Sequence, residues 1–191
     1  MQIGALIFWG AMVIAVIYAV TLYNGLVSLK HAVAKHLANI DVLLKQRHDE
    51  LPKLVETCKQ YMGYEQETLE NVIAARNRVA SAQATGNMKA LGQAETSLRS
   101  GLGQLFALAE NYPELKADQS FSHLQQRITG LENAIADRRE IYNQAVNNNN
   151  VRIEQFPDVI IARFLNFKDF DLLEFSEQQT ADVDVKSLFN S

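Results

Sequence analysis

The sequence predicts an all-α protein: a single N-terminal transmembrane helix followed by an antiparallel bundle of about four long helices. Three observations predict it. Ile3 to Leu22 is an uncharged, apolar stretch of bilayer length. Beyond it, apolar side chains recur at spacings of three, four and seven. Proline occurs only at Pro52, Pro113 and Pro157, while Ala, Leu, Gln, Glu, Lys and Arg fill the long stretches.

The first element is the anchor, residues 1–23. No charged side chain occurs before Lys30, and Ile3 to Leu22 would extend about 30 Å as a helix, the thickness of a hydrocarbon core. A cleaved signal peptide would carry a basic start, a shorter apolar run and a small-residue cleavage site, and none of these is present. Lys30, Lys35, Lys45 and Arg47 follow the span, so the positive-inside rule places the C-terminal part in the cytoplasm. The expected location is the inner (cytoplasmic) membrane, single-pass, with a short N-terminus outside. Gly4, Ala11, Ala15 and Ala19 form a small-residue seam on which two such helices could approach closely.

Residues 24–170 are expected to form the bundle. Leu26, Val33, Ile40, Leu54 and Tyr61 repeat at sevens, interleaved with Leu37, Leu44, Leu51, Cys58 and Val72, which defines a long first helix. Pro52 removes a helical donor, so a kink or break is expected at His48 to Leu51, with Asp49 capping the restarted helix. That second helix runs past Val72, Ala75 and Val79 to a reversal at Thr85-Gly86-Asn87. A third, from Met88 to about Glu110, turns Leu91, Leu98, Leu102, Leu105 and Leu108 inward and stops before Tyr112-Pro113. A fourth starts near Ser120 as N-cap and carries Phe121, Leu124, Ile128, Leu131, Ile135, Tyr142 and Val146. The asparagine run Asn147 to Asn150 forms helices poorly, yet the apolar pattern crosses it, so the helix is carried to about Gln155. The segment Val159 to Leu165, with Phe167 and Phe170, either packs on the bundle or lies in the membrane interface.

Residues 171–191 read as an acidic, disordered tail. The formal net charge of −4 arises between Lys168 and Ser191, so the rest of the chain is near neutral and offers no field for nucleic acid. Cys58 is the single cysteine, which excludes an intrachain disulfide, and its place on an apolar face reads as a buried structural thiol. His31, His36, His48 and His123 form no HxxxH or HExxH pair, no glutamate has a histidine three residues on, and no GxGxxG, GxxxxGK[ST] or GxSxG occurs. No catalytic, metal or cofactor site is expected.

Tyr23-Asn24-Gly25-Leu26-Val27, then Asn39 to Arg47 and Leu51 to Thr57, resemble the opening of the LemA family. Ala75-Arg76, Glu110 to Ala117, Arg139 to Asn143 and Phe156-Pro157 follow in the family's order, so the resemblance covers about residues 20 to 170. The sequence departs from the pattern at Leu37, Leu43, Gln46 and Arg47, and Asn149-Asn150 stands in place of a second Tyr-Asn. The resemblance implies one N-terminal membrane helix, a cytosolic antiparallel helical domain and no enzymatic activity or cofactor. A magnetosome membrane protein is similar to this family, which implies membrane organisation or remodelling. Tyr23, Asn24, Asp41, Lys45, Arg47, Pro52, Arg76, Tyr112, Arg139, Tyr142 and Asn143 are the motif residues, read as structural contacts between helices.

The expected function is a non-enzymatic, membrane-anchored helical scaffold that self-assembles and organises or remodels the membrane or its proteins, with membrane lipids and further copies of the chain as partners. The alternative is a monomeric or dimeric adaptor for a membrane protease or a signalling or envelope-maintenance partner; a cryptic enzyme is the third class. A seam at sevens serves all of them, because it also packs inside one bundle.

Overall fold

Pro52 poses the first local problem, and its solution shapes helix α1. The computed structural model describes residues 2–175, and among them it contains α1 (Gln2–Lys59), α2 (Gln66–Thr85), α3 (Met88–Ala109), α4 (Pro113–Ala117), α5 (Gln119–Glu154) and α6 (Asp158–Phe164), with no strand. The tail from residue 176 onwards lies outside the described residues. Of the kink or break expected at His48 to Leu51, the break does not occur: α1 continues through Pro52, and Asp49 lies inside it rather than capping a new helix. Pro52 has no N–H to give the carbonyl of His48 one turn earlier. Arg76 of α2 donates to that carbonyl instead, Nε to O at 2.9 Å, so the part-buried acceptor is satisfied and the helix need not end. The break comes at Gln60 to Glu65, where the Tyr61 and Met62 N–H groups fold back onto the Cys58 carbonyl and buried Met62 pins the turn.

Elsewhere the local signals act as their chemistry suggests. Gly86 ends α2 in the left-handed conformation, φ 66°, which a side chain would strain. Asn87 then caps α3 by accepting from the Ala90 N–H at 2.9 Å. Leu91, Leu98, Leu102 and Leu105 are buried as the spacing predicts, whereas Leu108 is half-buried. Pro113 opens the short α4, which periodicity could not reveal in five residues. The cap of α5 is Asp118, not Ser120: its Oδ1 accepts the Phe121 N–H at 2.9 Å while Oδ2 accepts the Tyr61 hydroxyl at 3.0 Å. Helix α5 runs through all four asparagines to Glu154.

The chain divides into two units, and α1 and α5 contribute to both. One unit comprises the chain to Lys45 with Asn133–Leu172; the other comprises Gln46–Glu132 with the chain from Leu173. In the second, Leu51, Leu54, Val72, Leu98, Leu102 and Ile128 are among the buried residues that α1, α2, α3 and α5 share. Burial of each such side chain contributes roughly 1.5–3 kcal/mol. Glu50 pairs with Arg127 and Tyr61 with Asp118, so α5 runs antiparallel to α1 there. In the first unit, Leu26, Val33, Ile40 and Leu44 of α1 and Ile135, Tyr142 and Val146 of α5 are buried at sevens, threes and fours.

After α6 the chain turns sharply. Asn166 adopts φ 55°, Phe167 N–H donates to the Ala162 carbonyl and Asn166 N–H to that of Arg163, the paired bonds that close a helix end with a left-handed residue. Asn150 then grips the returning chain with both arms of its amide, Nδ2 to the Phe170 carbonyl at 2.9 Å and Oδ1 from the Phe170 N–H at 3.0 Å. The Tyr142 hydroxyl donates to the Asp171 carbonyl at 2.9 Å. The asparagines that weaken the helix therefore fasten the segment that follows it.

Two outcomes follow from these contacts. Arg76→Ala should cost about 1 kcal/mol in chemical denaturation, the low end of the penalty for an unsatisfied carbonyl because this one is only part-buried, and much less in a Pro52→Ala background that restores the helical donor; an equal loss in both backgrounds would show that Arg76 acts elsewhere. The Phe121 N–H bond and the Tyr61 hydroxyl hold the Asp118 carboxyl below its ordinary value. A depressed folded-state pKa stabilises above the unfolded value of about 3.9 and is lost as pH falls through the folded value. Asp118→Asn should flatten the decline of the urea midpoint in that acid window.

Candidate functional site

The N-terminal part of α1 presents an uncovered apolar surface. From Ile3 to Val20 every side chain is exposed, including Ile3, Leu6, Ile7, Phe8, Trp9, Ile14 and Ile17, and the apolar window has a mean hydropathy of 2.4. By length and composition this stretch can cross a membrane. Gly4, Ala11, Ala15 and Ala19 are all exposed within it, and nothing lies within 4 Å of where a Cβ on Gly4 would stand. From Ile3 onwards the first buried residue is Leu22, followed by Leu26.

A charge cluster lies inside the unit built on Gln46–Glu132. Arg47 is 1% exposed and extends its guanidinium fork onto Glu95 of α3, with Nη1 to Oε2 at 2.9 Å and Nη2 to Oε1 as the second arm. Its Nη1 also donates to Glu132 Oε1 of α5, and Arg99 Nε reaches Glu132 Oε2 at 3.2 Å. Two guanidinium groups thus meet two carboxylates. Burial pushes the Glu95 carboxyl up, against the pull of Arg47; burial also opposes the charge on Arg47, but Glu95 and Glu132 outweigh it and raise its pKa. The arrangement is an ion pair network that fixes the register of three helices, with no nucleophile and no open coordination place.

The Cys58 thiol is fully buried, and burial pushes it up to about 12, so it stays neutral and unreactive at ordinary pH. Among the described residues no three His, Cys, Asp or Glu side chains gather as a metal site would require.

A cleft of about 580 Å³ opens in the first unit beside α1, just past Leu22. Tyr23, Val27, Lys30 and His31 form one wall; Asn149 of α5 and the segment Leu165 to Lys168 with Phe170 form the other. Tyr23 meets Phe167 edge to face, ring centroids 6.2 Å apart. Asn149 is buried; its Nδ2 donates to Asn150 Oδ1 at 3.2 Å and lies 3.5 Å from the Lys168 carbonyl, while its Oδ1 has no partner among the described residues.

The motif residues thus fall into separate places. Arg47 and Arg76 make buried or partly buried bonds between helices, the Tyr112 hydroxyl donates to Glu65 at 3.3 Å, and Tyr142 and Tyr23 hold the segment after α6. Asp41, Arg139 and Asn143 are half-buried; Asn24, Lys45 and Pro52 are exposed. Glu95, Glu132 and Gly92 were not singled out by the sequence, and Asn149 was noted only in the asparagine run and as a departure from the family pattern. Glu95 does break the apolar face of α3 between Leu91 and Leu98, a polar residue at a core spacing, and that is the one signal that could have found it.

The chain beyond residue 171 contributes structure to its last described residue. Leu173 is buried, Arg99 stacks over the Phe175 ring at 5.5 Å, and the carbonyl of Glu174 comes so close to α3 that a Cβ on Gly92 would stand 1.9 Å from it. Three residues of the stretch read as tail are therefore part of the second unit.

The family model described as LemA family matches residues 36–187. Magnetosome protein MamQ 2 of Paramagnetospirillum magneticum is 31% identical over 100 residues, covering 52% of this chain and 36% of its own length. Magnetosome protein MamQ of Magnetospirillum gryphiswaldense is 22% identical over 186 residues, covering 85% and 68%. Protein LemA of Metamycoplasma hominis is 26% identical over 148 residues, covering 76% and 66%. The chain thus spans only about 36% of the first of these relatives.

Arg47→Met should destabilise the full-length protein by about 3–5 kcal/mol, because Glu95 is left buried without its counter-charge, and adding Glu95→Leu with Glu132→Leu should recover most of that loss in urea denaturation. Gly92→Ala should displace the Leu173 to Phe175 strap and speed chymotryptic cleavage there; unchanged cleavage would mean that the close approach is dispensable.

Proposed function

We propose that this chain, which belongs to the LemA family, is a non-enzymatic, membrane-anchored helical scaffold that self-assembles and organises the membrane or its proteins. The observation that carries the reading is the N-terminal part of α1, apolar on every side and uncovered from Ile3 to Val20, whereas burial begins at Leu22. A helix that is apolar all round needs a nonpolar solvent, and a bilayer supplies one. Gly4, Ala11, Ala15 and Ala19 form the face through which copies associate, since small residues let helix backbones approach in lipid. Exposed Lys30, Lys35 and Lys45 follow the span and support a cytoplasmic location for α2 to α6. The relatives include magnetosome proteins by name, which favours membrane organisation over catalysis. The buried charge cluster and the neutral, enclosed Cys58 both serve packing.

Light scattering with detergent correction on the full-length protein should give a uniform mass of several chains, and Ala11→Leu with Ala15→Leu should lower it towards the monomer. A monomeric wild type sinks self-assembly and leaves the membrane-tethered adaptor. Extraction by alkaline carbonate would remove the anchor reading itself.

A further inference from the structure

Both flanks of α6 meet one cleft of the first unit. Asn149, five residues before the end of α5, shares that cleft with Tyr23, Val27 and Lys30. At its other end α6 delivers Phe167 onto the Tyr23 ring. Tyr23 directly follows the apolar stretch. Helix α6 therefore lies beside the point where the anchor emerges, with Asp158 and Ala162 buried and Ile160 and Phe164, one turn apart, at 60% and 86% exposure; Phe156, just before the helix, is 81% exposed. Apolar side chains in that place and at that exposure fit the acyl boundary of a bilayer better than water.

The cleft beside α6 has the complementary polar chemistry. Lys30, His31 and Lys168 line it, and among the described residues no acidic side chain does, in a chain whose net charge is −4. Lys30 sits about 12 Å along the helix beyond Leu22. The headgroup layer is roughly 5–8 Å deep, and helical side chains lean towards the N-terminus, here the membrane, so a lysine stem covers the remaining distance. Asn149 adds an acceptor without a donor to the same wall.

We propose that this juxtamembrane cleft binds the headgroup of an anionic phospholipid such as phosphatidylglycerol, its phosphodiester between Lys30 and Lys168 and a headgroup hydroxyl donating to Asn149, with Ile160 and Phe164 dipping into the leaflet beside it. The inference rests on the reading of residues 3 to 22 as a membrane span.

The test uses the full chain reconstituted in phosphatidylcholine bilayers with spin-labelled lipids. Labelled phosphatidylglycerol should associate more strongly than labelled phosphatidylcholine, and Lys30→Gln and Lys168→Gln should each weaken that preference roughly fivefold. Lys35→Gln with Lys45→Gln removes twice the charge of either substitution, outside the cleft, and should change it little; an effect as large as theirs would reveal a diffuse field and overturn the site. Displacement of the labelled lipid by inorganic phosphate at constant ionic strength would reveal a free-anion site and overturn the lipid reading. In a Trp9→Phe background, Phe164→Trp fluorescence should be quenched by acyl-brominated lipid, and an unquenched signal rejects the placement of α6. A protein that resists carbonate extraction yet shows no lipid preference refutes this inference alone and leaves the anchor intact.

Discussion

The buried guanidinium of Arg47 is the constraint around which the second unit is arranged. A charge with 1% exposure is intolerable without partners, and its partners come from α3 and α5, far apart in sequence. Sliding any of the three helices by one turn would leave one of the charges alone. Apolar seams of leucine and valine supply most of the burial, but they are permissive: a seam repeated at sevens packs nearly as well after a shift of seven. The ion network removes that degeneracy.

The same logic operates on the backbone. Pro52 leaves the His48 carbonyl without its helical donor, and the side chain of Arg76 replaces it. Beside the last turns of α5 the roles are reversed: the Asn150 side chain and the Tyr142 hydroxyl satisfy the main chain of a segment that has no regular structure of its own. Polar side chains therefore settle accounts that secondary structure leaves open, and they do so where the chain bends, stops or returns.

This division explains which parts could be read in advance. The helix faces were legible because burial imposes a 3.6-residue period, and Leu26, Ile40, Leu98, Ile128 and Val146 all lie where that period puts them. The reversal at Gly86-Asn87 was legible because few residues can hold a left-handed turn and cap the next helix. The continuity of α1 through Pro52 was not, since the compensating donor lies 28 residues away. Glu132 carried no signal, and the core spacing of Glu95 could mark it as buried but not name its partner, because a sequence does not say which helix face meets a neighbour's arginine. Asn149 and Asn150 looked like weak helix formers, and their value appears only once Lys168 and Phe170 come back beside them. The cleft at the end of the apolar span was invisible for the same reason: its two walls are more than a hundred residues apart in the chain.

The strap over Gly92 changes what a domain boundary means in this chain. The second unit takes Gln46–Glu132, passes control to the other unit for forty residues, and then reclaims Leu173 to Phe175. It is discontinuous in sequence, with the first unit's Asn133–Leu172 inserted into it. A truncation placed by charge composition, just after Phe170, would remove more than acidic residues: it would pull a buried leucine out of a packed core and leave Gly92 facing solvent. Deletions intended to isolate the tail have to begin after Phe175, or their phenotype will report on folding.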